Sequence, residues 1–594
     1  MSRVLVTTAD ETTWPKDKNH PVLFLGAWCQ IFSRRSVWQS MDYKVASYHW
    51  DDREKLFIDY KYLQVLHEQL LQELTVKLND IHSVNYSTRY WRILIGPWLG
   101  YFTQVLFDRW YMLKQVLEQQ SFSECYITNY ISGSTVANDM GDFNAKMVTD
   151  DWNEAIYGQL LEYCWPDEIK IEKASKAKTL KPTLIKDKQN KSFKSHLKKI
   201  VEKALLLFNR LASKEDGYFF ISTYLPYKVN CRLQVALGQI PQLWRLVPAP
   251  ITPVDDEQRR WHLESSNINP DTFDSVIRHF IPLHLPTLYL EGYPILVKKV
   301  EQLPWPRKPK AIFTSNSYSA DDTFKAWSAS KTELKIPLII GQHGGNLGMT
   351  PFAFHEEHQI TIADQWLSWG WVDSERPQIE PIGNLKDVSN NQDYERKGQA
   401  LIVGMSLPRY SYHLFAIPIS SQWLDYHKEL ILFLNTLPIK LRNQIVFRPY
   451  PAEYGWEQVA RVKESFSEIS IAPRQKNMRS LIKKSRIYIS TYNATTYLES
   501  LNWNVPTIMF WNPNHWEIKP EVKPYFELLK SVGIFHESPE SAAQQMIKVW
   551  DDVDLWWYSD DVQSVRHQFC QQFSKPLEDP IALLKEVFLN CKVN

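Results

Sequence analysis

Cysteine is scarce: six residues, Cys29, Cys125, Cys164, Cys231, Cys570 and Cys591, lie far apart in 594 positions with no C-x-x-C pair. That spacing indicates neither a disulfide framework nor a zinc ribbon, and a reducing cytoplasm is the expected setting. Net charge is also nearly absent, with 68 Lys and Arg against 67 Asp and Glu. The electrostatic footprint of a dedicated nucleic-acid binder is missing, so no nucleic-acid partner is expected. No apolar run reaches bilayer length, and Asp10 and Glu11 interrupt the amino terminus early, so neither a spanning helix nor a signal peptide is expected. Neither G-x-x-x-x-G-K-[ST] nor G-x-G-x-x-G occurs, which argues against a P-loop or dinucleotide enzyme. His355-Glu356-Glu357-His358 lacks the H-E-x-x-H spacing that places two His on one helical face, and no metal site is expected there.

What is present is length, aromatic rings and an alternation of short strands with helices. A chain of 594 residues exceeds one ordinary core, so two or three domains are expected. The 24 Trp and 29 Tyr ask for a use, and flat rings with a polar edge suit sugar stacking, cores and membrane interfaces alike. Strands are expected at Val22 to Gly26, Gly217 to Ser222, Thr287 to Gly292, Ala311 to Ser315 and Ile336 to Ile340. Helical spacing runs from Asp51 to Ile81, from Asp321 to Leu334, and from Tyr90 to Leu117 with a kink at Gly96-Pro97. The ring row of the last could dock on a membrane surface, but no basic face accompanies it and packing is the better reading. Residues 170–199 are basic and polar and read as an exposed linker or loop, whose charge could also attract anionic lipid. A second series follows Pro381-Ile382-Gly383-Asn384, with strands at Ala400 to Val403, Gln444 to Arg448, Ile469 to Ala472, Arg486 to Ser490 and Thr507 to Trp511. Terminal helices from Trp550 to Phe573 pack back across the halves. The expected fold is α/β with largely parallel sheets: residues 1–385 as an N-terminal Rossmann-like domain with helical insertions, and 386–594 as a C-terminal Rossmann-like domain with terminal helices, facing a central cleft.

Two strand exits concentrate chemistry. After Ile336 to Ile340 comes Gly341-Gln342-His343-Gly344-Gly345, where glycines let backbone N–H groups approach a ligand and Gln342 and His343 can bond it or move a proton. A tight turn with His as a cap explains the same residues without function. In the second half, Arg448 before Pro449-Tyr450-Pro451 offers a donor fork suited to phosphate, or is a plain arginine beside a stiff turn. Ser490-Thr491-Tyr492-Asn493-Ala494-Thr495-Thr496 leads from strand into helix, a natural phosphate seat that continues to Glu499.

Thr7-Thr8 with Trp14-Pro15, Phe24-Leu25-Gly26-Ala27-Trp28-Cys29, His49-Trp50-Asp51-Asp52-Arg53, Tyr90-Trp91-Arg92-Ile93-Leu94-Ile95-Gly96-Pro97-Trp98, Tyr289-Leu290-Glu291-Gly292-Tyr293, Gly341-Gln342-His343-Gly344-Gly345 and Trp369-Gly370-Trp371 together resemble a family of bacterial surface-carbohydrate transferases. The resemblance spans nearly the whole chain and implies a GT-B-like layout of two Rossmann-like domains, with residues 1–385 as the acceptor domain and 386–594 as the nucleotide-donor domain. Shorter echoes resemble Kdo transferases, sialyltransferases and teichoic-acid glycerophosphotransferases, which hold a cytidine nucleotide with a His-Pro dipeptide and a Ser/Thr-rich turn. By that resemblance Tyr450-Pro451 stands at the His-Pro position, Tyr450 departing from the usual His, and Ser490, Thr491, Asn493, Thr495, Thr496 and Glu499 form the nucleotide-binding turn with Gly344, Gly345 and Arg448. His343-Gly344 is similar to a His-Gly pair linked to catalysis. The resemblance implies a cytoplasmic glycosyltransferase of surface-polysaccharide assembly with room for peripheral contact at the inner face of the membrane. It takes a sugar of the nonulosonic-acid or Kdo type from a CMP donor to a glycan or lipid-linked glycan, with no metal or other cofactor. His343 is the expected base, with Glu291, Asp321 and Asp322 as carboxylate alternatives. Two other readings stand: transfer of polyol phosphate from a CDP-polyol, and a non-catalytic glycan-binding assembly protein, which Tyr450 favours and the intact His343 turn opposes.

Overall fold

The computed structural model describes residues 3–119, 122–180, 209, 215–263, 271–386 and 394–591. Short runs of branched and aromatic residues form strands buried on both faces, as parallel sheets require, and every pairing between the strands named below is parallel. The first sheet holds β1 (Arg3–Val6), β2 (Val22–Phe24), β3 (Tyr43–Val45), β4 (Phe122–Ile127) and β5 (Lys170–Lys173) in the order β3-β2-β1-β4-β5. The second holds β6 (Phe219–Phe220), β7 (Ile312–Thr314), β8 (Leu338–Gly341), β9 (Gln365–Ser368) and β10 (Ile379–Pro381) in the order β10-β9-β8-β7-β6. The third holds β11 (Gln399–Val403), β12 (Ile445–Arg448), β13 (Ser470–Ile471), β14 (Ser485–Ser490), β15 (Thr507–Phe510) and β16 (Phe535–His536) in the order β13-β12-β11-β14-β15-β16, which is the doubly wound Rossmann order. The fold is α/β and GT-B-like, in that the carboxyl ends of the second and third sheets meet.

Three expectations change. Residues 1–385 hold two five-stranded sheets where one Rossmann-like domain with insertions is expected. The first sheet is hard to read because β3 is largely exposed and β5 is a charged edge strand. Lys170–Lys173 pairs with Glu124 to Ile127 rather than forming a loop, its lysines suiting an unpaired edge. The rest of the expected linker from residue 181 to 199 lies outside the described residues. Finally, Thr287–Tyr289 is a 3₁₀ turn, not a strand, because the Thr287 and Leu288 N–H groups bond the Ala137 and Asn138 carbonyls and the Thr287 carbonyl accepts from Leu290 and Gly292.

The second sheet has its strands in chain order, and right-handed crossovers then lay most of the connecting helices on one face. On that face Phe219, Ile312, Leu338, Ile340 and Trp366 join the main core with Phe324 and Trp327 of helix Asp322–Thr332. The other face, Phe220, Phe313, Ile339 and Leu367, needs a cover from elsewhere. Helix Tyr227–Ala236 and the C-terminal helix Pro580–Asn590 supply it, with the Phe588 ring 5.0 Å from Phe220 and 5.4 Å from Phe313.

Helix Thr88–Glu118 is buried from Tyr90 to Trp110 except at Arg92, so its ring row is core and not a membrane face. Its buried internal ion pair is Asp108 with Arg109. Burial pushes the Asp108 carboxyl up, and the Arg109 guanidinium overrides that to hold it at about 2. Tyr48 and His49 donate to the same carboxylate, and Arg109 reaches Asn153 and the Ser411 carbonyl, so the buried charges are satisfied. Among the described residues no helix is long and apolar enough to cross a membrane.

The tryptophans have a use that composition could not choose: indole N–H groups pin the exit of an inner strand of each sheet. After β1, Trp28 and Trp14 bond the Thr7 and Thr8 carbonyls at 3.0 and 3.1 Å. After β8, Trp369 and Trp371 bond the Gln342 carbonyl and side chain, both at 3.0 Å. After β11, Trp423 and Trp456 bond the Met405 and Leu407 carbonyls, again at 3.0 Å. Each ring fills core volume while its polar edge bonds a buried polar group of the loop.

Phe588→Ala uncovers the second sheet, and chemical denaturation should show a loss of about 3–5 kcal/mol, the cost of a large aromatic cavity. An unchanged midpoint would mean that the C-terminal helix does not close that face.

Candidate functional site

The second and third sheets touch where the loop after β8 meets the turn after β14. Gly345 N–H donates to Thr495 Oγ1 at 3.0 Å, at the start of helix Thr495–Asn502. A Cβ on Gly345 would stand 2.7 Å from the Ala494 carbonyl carbon and oxygen, so only glycine permits this approach. Gly344 also faces Thr495 Oγ1. The two glycines, expected to cradle a nucleotide, form the joint between lobes instead.

Gln342 is spent on the same loop. Its amide nitrogen donates to the Gly344 carbonyl at 2.7 Å, and its Oε1 accepts from Trp369 N at 2.8 Å and Trp371 Nε1 at 3.0 Å. It holds the turn open and is not available to a substrate. His343, next to it, is largely buried, and its Nδ1 has no hydrogen-bond partner. Burial, then the Lys386 charge, lowers its pKa to about 4, so the imidazole is neutral at physiological pH. Tyr224 stacks on it at 6.1 Å and His355 meets it edge-on at 5.2 Å. His355 is in turn held by the Tyr318 hydroxyl at 2.8 Å. His355 and His358 lie on helix Phe354–Ile362, and among the described residues no three His, Cys, Asp or Glu side chains form a metal cage.

On the third sheet most of the expected side chains turn inward. Ser490 Oγ donates to the Tyr492 carbonyl, Thr491 Oγ1 to the Val403 carbonyl at 2.7 Å, and Thr496 pairs with the Tyr488 hydroxyl at 2.6 Å. Both outer nitrogens of Arg448 are occupied, Nη1 by the Pro449 carbonyl and Nη2 by the Arg474 carbonyl, each at 2.6 Å, with Nε left over. Its fork braces the loop carrying Tyr450 rather than standing free for phosphate. Tyr450 is half-buried, its ring 6.5 Å from Tyr454. Two groups do remain open. Asn493 is 1 % exposed, and its Nδ2 has no partner. The start of helix Thr495–Asn502 is capped by Ala494, which offers no side-chain acceptor.

The carboxylates divide. Glu291 is locked to Arg259 at 2.7 and 2.8 Å and accepts from Asp255 N–H, so it is a structural ion pair on a turn and not a base at a strand exit. Asp322 is fully buried between Lys325 at 2.8 Å, the Tyr289 hydroxyl and Met140 N–H, and is likewise occupied. Asp321 differs: Oδ1 caps helix Asp322–Thr332 through Phe324 N–H at 3.1 Å, while Oδ2 is buried without a partner. Burial raises its pKa to about 7.

Pattern reading misses Tyr224 and Lys386. Lys386 Nζ is 2.9 Å from Glu499 and 5.9 Å from the Tyr224 ring, which places a cation in the cleft beside His343. Its only sequence signal is its place at the expected domain joint. Tyr224 and Ser222 both adopt left-handed backbone, φ 58° and 48°, a conformation that non-glycine residues seldom take outside constrained loops.

The family model described as LIC12162 family transferase matches residues 3–588. No curated protein matches the chain. Among solved structures, the S. aureus MnaA-UDP co-structure is similar at 13% identity, covering 50% of this chain and 77% of that one with a TM-score of 0.31. MurG of Acinetobacter baumannii is similar at 11% identity, covering 49% of this chain and 77% of that one with a TM-score of 0.29. An alpha,alpha-trehalose-phosphate synthase (UDP-forming) from Burkholderia vietnamiensis is similar at 10% identity, covering 50% and 74%, with a TM-score of 0.29. Likeness of that degree bears on neither site nor chemistry.

Gly345→Ala forces the Ala494 backbone to move, and thermal or urea unfolding should report a loss of about 1–3 kcal/mol, the usual cost of overpacking. Thr495→Val, which removes one hydrogen bond without adding bulk, should cost about 1 kcal/mol. Equal, negligible effects would mean that the lobes do not depend on this contact.

Proposed function

The chain belongs to the LIC12162 family of transferases, and we propose that it moves a sugar from a nucleotide-activated donor to a hydroxyl of a glycan or lipid-linked glycan in bacterial surface-polysaccharide assembly. The observation that carries this reading is the meeting of two strand exits across Gly345 and Thr495, with an unpartnered neutral imidazole on one side and an uncapped helix start on the other. The donor, a cytidine nucleotide of a nonulosonic or Kdo-type sugar, lies on the third sheet, its phosphate at the N–H groups of helix Thr495–Asn502 and its nucleoside toward Tyr450. Asn493 Nδ2 is an open donor for that phosphate, and the Lys386 ammonium, held by Glu499, adds a positive charge to the cleft. In the transfer step the acceptor hydroxyl gives its proton to His343 Nδ1 as its oxygen bonds the anomeric carbon. The bond from that carbon to the phosphate oxygen breaks, and its electron pair leaves with the nucleotide. Lys386 and the helix start oppose the charge that grows on the phosphate. No metal is required by this scheme, and the work is done in the cytoplasm with the acceptor at the inner face of the membrane.

Thermal shift with CMP, CDP, UDP, GDP and ADP should give the largest rise with CMP, since a ligand at about 100 times its Kd adds about 2.7 kcal/mol to native stability. A rise with UDP and none with either cytidine nucleotide would sink the donor class. His343→Ala should keep nucleotide affinity and lower single-turnover rates roughly 100-fold or more, the range for loss of a general base. A base works unprotonated, so with the His343 pKa at about 4 the wild-type rate should hold steady from neutral pH downward and fall only as pH drops through about 4. A break near 7 that vanishes in Asp321→Asn would instead hand the proton to Asp321.

A further inference from the structure

A cavity of about 350 Å³ opens at the carboxyl ends of β6 and β7, beside the proposed transfer site. Its wall is made by Ser222 after β6, by Asn316, Ser317 and Asp321 after β7, by Asp139, and by the apolar run Leu246 to Ala249. Among the described residues, two polar atoms in this wall are buried with nothing to bond. Ser317 is 3 % exposed with Oγ unpartnered, and Asp321 Oδ2 is unpartnered while Oδ1 is held by the helix it caps. Buried polar groups are rarely left so, unless a ligand or water completes them. The loop that lines the cavity with Ser222 carries Tyr224, the ring stacked on His343, so cavity and imidazole are joined by one left-handed turn.

The chemistry of the wall selects its occupant. Among the described residues no Lys, Arg or His lines it; of its three carboxylates Asp322 is ion-paired with Lys325, whose charge also reaches Asp321, and the one other cation at the wall is Lys299, which bonds the Pro248 carbonyl. Asp139 carries its charge against the N–H of Asp142 and the Asn138 amide, with no ammonium or guanidinium. An anionic ligand would meet three carboxylates in the wall against one ion-paired lysine, a net negative field. Hydroxyl donors, by contrast, find acceptors in Asp321 Oδ2 and Asn316 and a partner in Ser317 Oγ, while the Leu246 to Ala249 run faces their C–H surface. Small-ligand pockets begin at about 300 Å³, which this cavity just exceeds, so it has room for a single ring. We propose that the cavity binds one neutral pyranose of the acceptor and discriminates against uronic acids. Its role as the acceptor subsite rests on the transferase reading above; binding of the sugar itself does not.

The test is saturation-transfer NMR and calorimetry on the full chain, with the methyl glycosides of glucose, galactose, mannose and N-acetylglucosamine against methyl glucuronide, above the Asp321 pKa of about 7. At least one neutral glycoside should bind in the millimolar range and the glucuronide at least about tenfold more weakly, as like charge demands. Asp321→Asn keeps the cap and removes the charge, and should narrow that gap. Leu246→Trp, at a rim position 58 % exposed and so tolerant of bulk, should abolish glycoside binding and leave the CMP thermal shift intact. Absence of binding by every neutral glycoside, a glucuronide that binds as well or better, or binding unaltered by Leu246→Trp would each overturn the proposal. Glycoside binding without sugar transfer from any nucleotide donor would leave this site standing and remove the transferase reading. Nucleotide binding and transfer with no glycoside binding would do the reverse.

Discussion

The absence of a side chain at Gly345 is the constraint on which the site depends. It brings the exit of β8 within hydrogen-bonding distance of Thr495, so the carboxyl ends of two separately built sheets share one space. Parallel sheets direct their helix starts and loop chemistry to that end, so a joint there puts an imidazole, a lysine and a helix amino terminus within a few residues' reach of one another. The same joint on the amino-terminal edges would have brought together only connecting loops. Lys386 and Glu499 add an ion pair across it, and His343 is neutral because that closure keeps water out.

A joint of this kind works only if the loops on either side are rigid, and the aromatic composition bears on that directly. Trp14 and Trp28, Trp369 and Trp371, and Trp423 and Trp456 each fix a strand exit by an indole hydrogen bond from within the core. A buried loop normally carries polar backbone that nothing satisfies. Here the ring removes apolar area from water and its N–H answers the loop, which lets the exits sit deep between the layers. Beyond these pins, the Arg53–Glu517 pair at 2.7 Å and the Arg409–Asp150 contact tie the first sheet's domain to the third.

Much of the element order was legible in the sequence. Branched runs such as Ile336 to Ile340 and Ala400 to Val403 allow little except a buried strand, and the spacing of Leu56, Tyr60, Leu63, Leu66, Leu70 and Leu74 allows little except one helical face. Of the first sheet only β2, within the expected Val22 to Gly26 run, was legible, since β3 and β5 are exposed and carry no burial pattern to read. At the site, residue chemistry pointed to the correct loops but not to the free atoms. Gln342, Arg448, Glu291, Asp322, Ser490, Thr491 and Thr496 have the side chains a catalyst would want, and all are committed to neighbours far away in sequence or to their own turn.

What the sequence by itself determined was local: strand and helix periodicity, the glycine-rich exit after β8, the hydroxyl-rich exit after β14, and the alternation that requires parallel α/β layers. These follow from short-range sterics and from which faces must leave water, and both are written in nearest neighbours. Which donors and acceptors stay unpaired was decided only by tertiary structure, because a hydrogen bond is consumed by whichever partner the fold brings within about 3 Å. His343, Asn493, Ser317 and Asp321 are open for that reason alone, while Arg448 is closed by the carbonyl of its neighbour Pro449 and by that of Arg474, which the fold brings in from 26 residues away.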